Sequence, residues 1–124
     1  MFVSIDFNSE EALYIQLRNQ IIYAIATSQI QEGDSLPSVR ELADVVGINM
    51  HTVNKAYTML RQEGYLKVDR RKGAIIALDI DKYAAIMEMK EAMKHIIAEG
   101  ICRDVSREDM HRIVDEVYNH FMAE

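Results

Sequence analysis

Between residues 50 and 73 the side chains able to do chemistry fall in two groups: His51, Thr52, Asn54 and Lys55, and then the consecutive cations Arg70, Arg71 and Lys72. Amide, hydroxyl and imidazole groups can read the hydrogen-bonding edges of bases. Lysine and arginine grip phosphate oxygens without sequence preference. This is chemistry of recognition, with no bond made or broken. No glycine-rich phosphate loop follows a strand, no nucleophile elbow occurs and no zinc spacing is present. His111 and His120 are nine residues apart, on opposite faces of any helix that holds both, and His95 and Cys102 lack neighbouring ligands at metal spacing. The residues therefore exclude an enzyme, imply no cofactor or metal, and point to double-stranded DNA as the partner.

Two short helices must position the first group. Ser38 follows Leu36-Pro37 and has Glu41 three residues on, the spacing of a capping box in which hydroxyl and carboxylate satisfy each other's free backbone N–H groups. A helix is predicted to start there, with Val39, Leu42, Ala43 and Val46 as one apolar stripe and Gly47 as its left-handed stop. Asn49 is an N-cap for the next helix, whose stripe is Val53, Ala56, Tyr57 and Leu60 and which closes at Glu63-Gly64. The opposite face of that second helix carries His51, Thr52, Asn54, Lys55 and Thr58. A polar, basic face on the second helix of such a pair is what enters a major groove.

Charge supports the same reading once it is located. The 124-residue chain has a net charge of −6, but residues 1–77 hold 8 Lys and Arg against 9 Asp and Glu, while residues 78–124 hold 6 against 11. Within residues 54–73, Lys55, Arg61, Lys67, Arg70, Arg71 and Lys72 face only Glu63 and Asp69, a local +4. A confined basic patch suits phosphate contact, and an acidic remainder opposes misplaced binding; ordinary solvated charges are the plainer alternative. With 49% hydrophobic and 27% charged residues the chain has material for a packed core. Its single cysteine, Cys102, has no internal partner, and no signal peptide or long apolar run occurs, so a soluble protein of the reducing cytoplasm, away from any membrane, is expected.

From the start of the chain, Phe2-Val3-Ser4-Ile5-Asp6 alternates like a short edge strand, and Asn8-Ser9 supplies a turn and cap. A scaffold helix over about 10–28 follows, with Leu13, Leu17, Ile21, Ala24 and Ile25 inward, thickened by Tyr14 and Ile22, before Gln31-Glu32-Gly33-Asp34 breaks it. After Gly64, residues 65–68 and 74–78 read as two strands around a turn at Asp69-Arg70-Arg71-Lys72-Gly73, a hairpin wing with a basic tip. The tail reads as two helices. The first is capped by Asp79 or Asp81 and runs to about Glu99, where Gly100 stops it; the second opens at Ser106 with Asp109 and spans about 16 residues. Ile86, Met93 and Ile97 on one, and Ile113, Val117 and Phe121 on the other, exceed what a lone helical hairpin can hide, so a second copy of the chain is expected to cover them. The five tail methionines fit flexible core filling better than a ligand pocket.

Residues 10–77 resemble the DNA-binding domain of the GntR family of bacterial transcription regulators. The resemblance rests on Leu36-Pro37-Ser38-Val39-Arg40-Glu41-Leu42-Ala43, Gly47-Ile48-Asn49, Thr52-Val53, Ala56-Tyr57, Leu60 and Glu63-Gly64-Tyr65-Leu66. Leu13-Tyr14-Ile15-Gln16-Leu17, the turn from Asn49 to Val53 and a tail of under 50 residues are similar in particular to the small YtrA subfamily, in which a two-helix tail serves dimerisation. The resemblance implies a mainly α fold with a small β-hairpin: a winged helix-turn-helix domain over 1–78 and a two-helix dimerisation segment over 79–124. Arg40 matches a DNA-contacting arginine of the family, and with the polar face of the second helix, the helix starts and the basic wing tip the expected DNA contacts are Ser38, Arg40, Asn49, His51, Thr52, Asn54, Lys55, Arg70, Arg71 and Lys72. For Arg40 the plainer alternative is a salt bridge to Glu41 or Asp44. Two departures narrow the inheritance. Met50 stands where many members have an arginine, so no bidentate guanine contact carries over there, and Gly73-Ala74-Ile75-Ile76 replaces the usual Gly-x-Gly and aromatic-valine pair of the wing. The expected function is a sequence-specific, homodimeric repressor on an inverted-repeat operator, with no effector assigned; the alternative is a winged-helix module that binds a protein instead of DNA.

Overall fold

The computed structural model describes residues 3–123, which divide into two compact units between Asp79 and Ile80. The first unit contains α1 (Leu13–Ala26), α2 (Val39–Val46), α3 (Met50–Gln62), β1 (Leu66–Asp69) and β2 (Gly73–Ile76). The second contains α4 (Lys82–Cys102) and α5 (Arg107–Met122). The fold is a winged helix-turn-helix followed by a helical pair, mainly α with one antiparallel hairpin.

One core serves every element of the first unit. Leu17 and Ile21 from α1, Leu42 and Ala43 from α2, Val53, Ala56, Tyr57 and Leu60 from α3, Leu66 from β1 and Ile76 from β2 form a single buried cluster, joined by Leu36 from the loop before α2. The stripes expected for α2 and α3 are thus the faces that pack. Both helices also begin as their caps dictate. Ser38 Oγ accepts from the Glu41 N–H at 3.1 Å while Glu41 Oε1 accepts from the Ser38 N–H at 3.4 Å, and Gly47 ends α2 at φ 80°. Asn49 Oδ1 accepts from the His51 N–H at 2.7 Å.

The amino-terminal reading needs correction. Residues 3–6 form no strand, and Phe2 lies outside the described residues. Buried Gln16 holds this segment instead: its Nε2 donates to the carbonyls of Asp6 and Glu11 at 3.0 and 2.9 Å, and its Oε1 accepts from the Asp6 N–H at 2.9 Å. Gln20 adds a bond to each backbone group of Ser4. A buried amide with every polar atom satisfied fixes an extended segment as well as a ladder would. Helix α1 starts at Leu13, not 10, because Ser9 Oγ is taken by the Glu11 N–H at 3.1 Å in a local turn. It ends at Ala26, since Thr27 Oγ1 bonds back to the Tyr23 carbonyl at 2.8 Å and Ser28 turns left-handed at φ 62°.

The wing strands pair in the register Leu66 with Ile76 to Asp69 with Gly73. Ala77 and Leu78, expected in the second strand, lie past it, their N–H groups bonded to the Tyr65 carbonyl at 3.1 Å and Glu32 Oε1 at 3.2 Å. The other edge of β2 is covered by the segment after α1. There the Gly33 N–H donates to Ile76 O at 2.8 Å, Ile76 N–H to Asp34 O at 2.9 Å, and Leu36 N–H to Ala74 O at 2.8 Å. This satisfies a strand that would otherwise present an open ladder.

In the second unit, Asp81 caps α4 by accepting from the Ala84 N–H at 3.1 Å, and Ser106 with Asp109 forms a full capping box on α5. The Ser106 N–H, donating to the Asp109 carboxylate, holds that group below its usual pKa. Gly100 does not stop α4, which runs to Cys102; the left-handed residue of the turn is Asp104 at φ 64°. Gly100 serves packing. A Cβ there would sit 2.4 Å from Met110 Cε, the end of the α5 side chain that packs over this glycine. Neither helix contributes a buried residue, and among the described residues no helix is long and apolar enough to cross a membrane.

Candidate nucleic-acid interface

Burial of Val53, Ala56, Tyr57 and Leu60 leaves the opposite face of α3 to solvent, where His51, Asn54 and Lys55 are exposed and Thr52 and Thr58 half-buried. Two side-chain contacts fix the helix in this orientation. Tyr57 Oη donates to the Pro37 carbonyl at 2.8 Å, tying α3 to the approach to α2, and burial, with Glu41 nearby, pushes its phenol well above the ordinary range. At the carboxy-terminal end of α3, Arg18 of α1 makes a two-toothed bond to Glu63, Nε and Nη2 each 2.6 Å from a carboxylate oxygen, which raises the pKa of the guanidinium.

Both acids inside the basic run are thereby occupied. Glu63 is taken by Arg18. Asp69 Oδ1 accepts from the Lys72 and Arg71 N–H groups at 3.0 and 2.7 Å, which lowers its pKa and shapes the wing turn. Arg70, Arg71 and Lys72 project from that turn as exposed side chains, and Gly73 closes it at φ 72°.

The structure refines several sequence assignments. Arg40 is exposed on α2 and, among the described residues, makes no ion pair; Glu41 is engaged in the capping box instead. The oxygens of Ser38 and Asn49 are committed to helix caps. The Lys55 ammonium lies 3.9 Å from the centre of the Tyr14 ring, a cation–π contact that holds it across the junction of α1 and α3. Ser38 and Asn54 line one groove of about 300 Å³ between α3 and the wing, together with Thr58, Arg61, Lys67 and Val68. Thr58, Arg61 and Lys67 were not among the site residues chosen from sequence. The signal was present: Asn54, Thr58 and Arg61 follow at i, i+4 and i+7, one row on the helix. In the tail, Ile86, Met93, Ile113 and Val117 are exposed while Ile97 and Phe121 are half-buried. His95 bonds to Glu99 at 3.0 Å, and no cluster of His, Cys, Asp or Glu able to hold a metal occurs among the described residues.

A helix-turn-helix with a basic wing, its second helix polar on the outward face, defines a DNA-binding module. Residues 12–76 match the bacterial regulatory proteins of the gntR family, and the chain belongs to that family. It is similar to the HTH-type transcriptional repressor YtrA of Bacillus subtilis, 31% identical over 118 residues covering 93% of this chain and 91% of the relative. It is 29% identical to the HTH-type regulator YhcF of the same organism, covering 80% and 79%. Among solved structures, a transcriptional antiterminator from Listeria monocytogenes superposes with a TM-score of 0.88 at 27% identity, over all of this chain and 95% of that one. YtrA from Sulfolobus acidocaldarius, a GntR-family transcription factor, gives 0.63 at 35% identity over 76% and 99%. The chain is thus a YtrA-like transcription regulator that binds DNA and not an enzyme, and the alternative of a winged helix without DNA falls away.

Proposed function

We propose that this regulator is a homodimeric repressor of the cytoplasm that occludes a promoter by occupying an inverted repeat, each α3 in one major groove and each wing on the flanking backbone. The observation that carries the dimer is the tail, 21 and 16 residues of helix without one buried side chain, where Ile86, Met93, Ile97, Ile113, Val117 and Phe121 form apolar faces awaiting a partner. Its net acidity keeps it from the phosphates. Similarity to a relative named as a repressor supports the sign of regulation. The reading is tested by titrating an inverted-repeat duplex against one carrying a single half-site; equal affinity for the two would end it.

The wing cations contribute affinity without sequence preference. Arg71→Ala with Lys72→Ala removes four charges from a dimer, so the log–log dependence of affinity on salt should flatten by about 3 to 4. Titrations at several salt concentrations measure this, and an unchanged slope would take the wing out of the interface.

Readout of sequence falls to His51, Thr52 and Asn54, whereas Arg40, Lys55 and Arg70 set general affinity, with Ser38 and Asn49 holding the helix starts against the backbone. Asn54→Ala should relax the preferred sequence, losing about 1–3 kcal/mol of discrimination at the base that its amide contacts. Selection from random duplexes gives the answer, and the same consensus from both proteins would refute the assignment.

A further inference from the structure

Arg61, on the last turn of α3, and Lys67, on β1, both line the groove between helix and wing. Both are exposed, and among the described residues neither makes an ion pair or a side-chain hydrogen bond. The two acids of the basic run are occupied: Glu63 by Arg18 and Asp69 by the N–H groups of the wing turn. Asp79, which shares the adjoining hollow with both, pairs with neither. The hydroxyl of Thr58 and the apolar surface of Val68 line the same groove, so it offers two positive charges, a neutral donor and an apolar wall that a sugar can touch.

Its distance from the reading residues fixes what enters. Asn54 and Arg61 stand on one row of α3, and seven residues of helix rise about 10 Å. A major groove is about 12 Å wide. With Asn54 over base edges, Arg61 reaches the lip of the groove, where the phosphates run. We propose that the cleft between α3 and the wing seats one DNA backbone phosphate, gripped by Arg61 from the helix and Lys67 from the sheet. This rests on the DNA-binding reading above and adds a contact that locks the helix and wing to the same strand.

The test uses the full chain, Arg61→Ala/Lys67→Ala, and the charge-keeping pair Arg61→Lys/Lys67→Arg, titrated from 50 to 200 mM salt on the duplex selected by the wild type. One phosphate lost per half-site removes about 1.8 from the slope of a dimer, so the loss of affinity across that range should shrink about tenfold for the alanine pair. The selected consensus should stay the same, and the charge-keeping pair should restore the slope. A wild-type slope in the alanine pair, or an altered consensus with the slope intact, overturns the phosphate seat while leaving the repressor reading in place. A wild-type chain whose binding is weak and indifferent to salt overturns both.

Discussion

Ending the chain after Asp79 should leave a folded monomer that binds a paired-site duplex about 10²- to 10⁴-fold more weakly than the full protein. The break follows the division of the structure, and it keeps the Asp79 N–H bonded to the Gly64 carbonyl at 2.9 Å. Everything buried in the first unit lies before this point, so its fold is not at stake. What is lost is the second half-site, because one winged helix covers too little DNA surface for tight specific binding. Val117→Glu should act the same way without shortening the chain. Val117 is 49% exposed in the single chain, so the carboxylate is harmless there and becomes costly only when a second copy would bury it unpaired. Light scattering and duplex titration on the three proteins decide the matter; a dimeric truncation with full affinity would move the dimer contact into the winged helix.

The largest loss of stability is expected from Leu60→Ala. Leu60 is fully buried in the core that the three helices and the wing share, and emptying such a site costs roughly 2–5 kcal/mol, a large share of the roughly 5–15 kcal/mol that holds a domain together. Val68→Ala is the control, since Val68 is 65% exposed and surface changes of this kind stay within about 0.5 kcal/mol. Urea unfolding of both variants supplies the comparison, with the slope against denaturant unchanged. A Leu60→Ala midpoint indistinguishable from that of Val68→Ala would contradict the packing described for the core.

The sequence was most legible where structure is decided locally. Ser38 with Glu41, Gly47 and Asn49 announced two helices whose ends fall where those residues put them, since a cap acts within one turn. The family pattern rested on the same residues. Legibility failed where a segment is held from far along the chain. Residues 31–34 looked only like a break after α1, yet the segment from Gly33 to Leu36 edges β2, whose pairing residues come some 40 positions later and leave no local periodicity. Val3 to Asp6 alternated like a strand, but its partner is the amide of Gln16, which pattern alone treats as an ordinary polar residue. Gly100 resembled a stop because glycine commonly ends helices, whereas here the missing Cβ makes room for Met110. The groove was not legible because its two cations, Arg61 on the last turn of α3 and Lys67 on β1, line one cleft only once the wing has folded, and in sequence they register only as charge.

The fastening of α3 at mid-helix, through Tyr57 to Pro37, and at its carboxy-terminal end, through Glu63 to Arg18, bears on the entropy of recognition. On the proposed reading the recognition helix is preorganised: with α3 so fastened, docking would freeze side chains such as Asn54 and Arg61 but little backbone. Ordering rotamer-rich side chains costs about 0.5–1.5 kcal/mol each, far less than folding a disordered reading segment on contact. Encounter therefore presents a finished surface, and discrimination between sequences is expressed in how long the complex lasts more than in how quickly it forms.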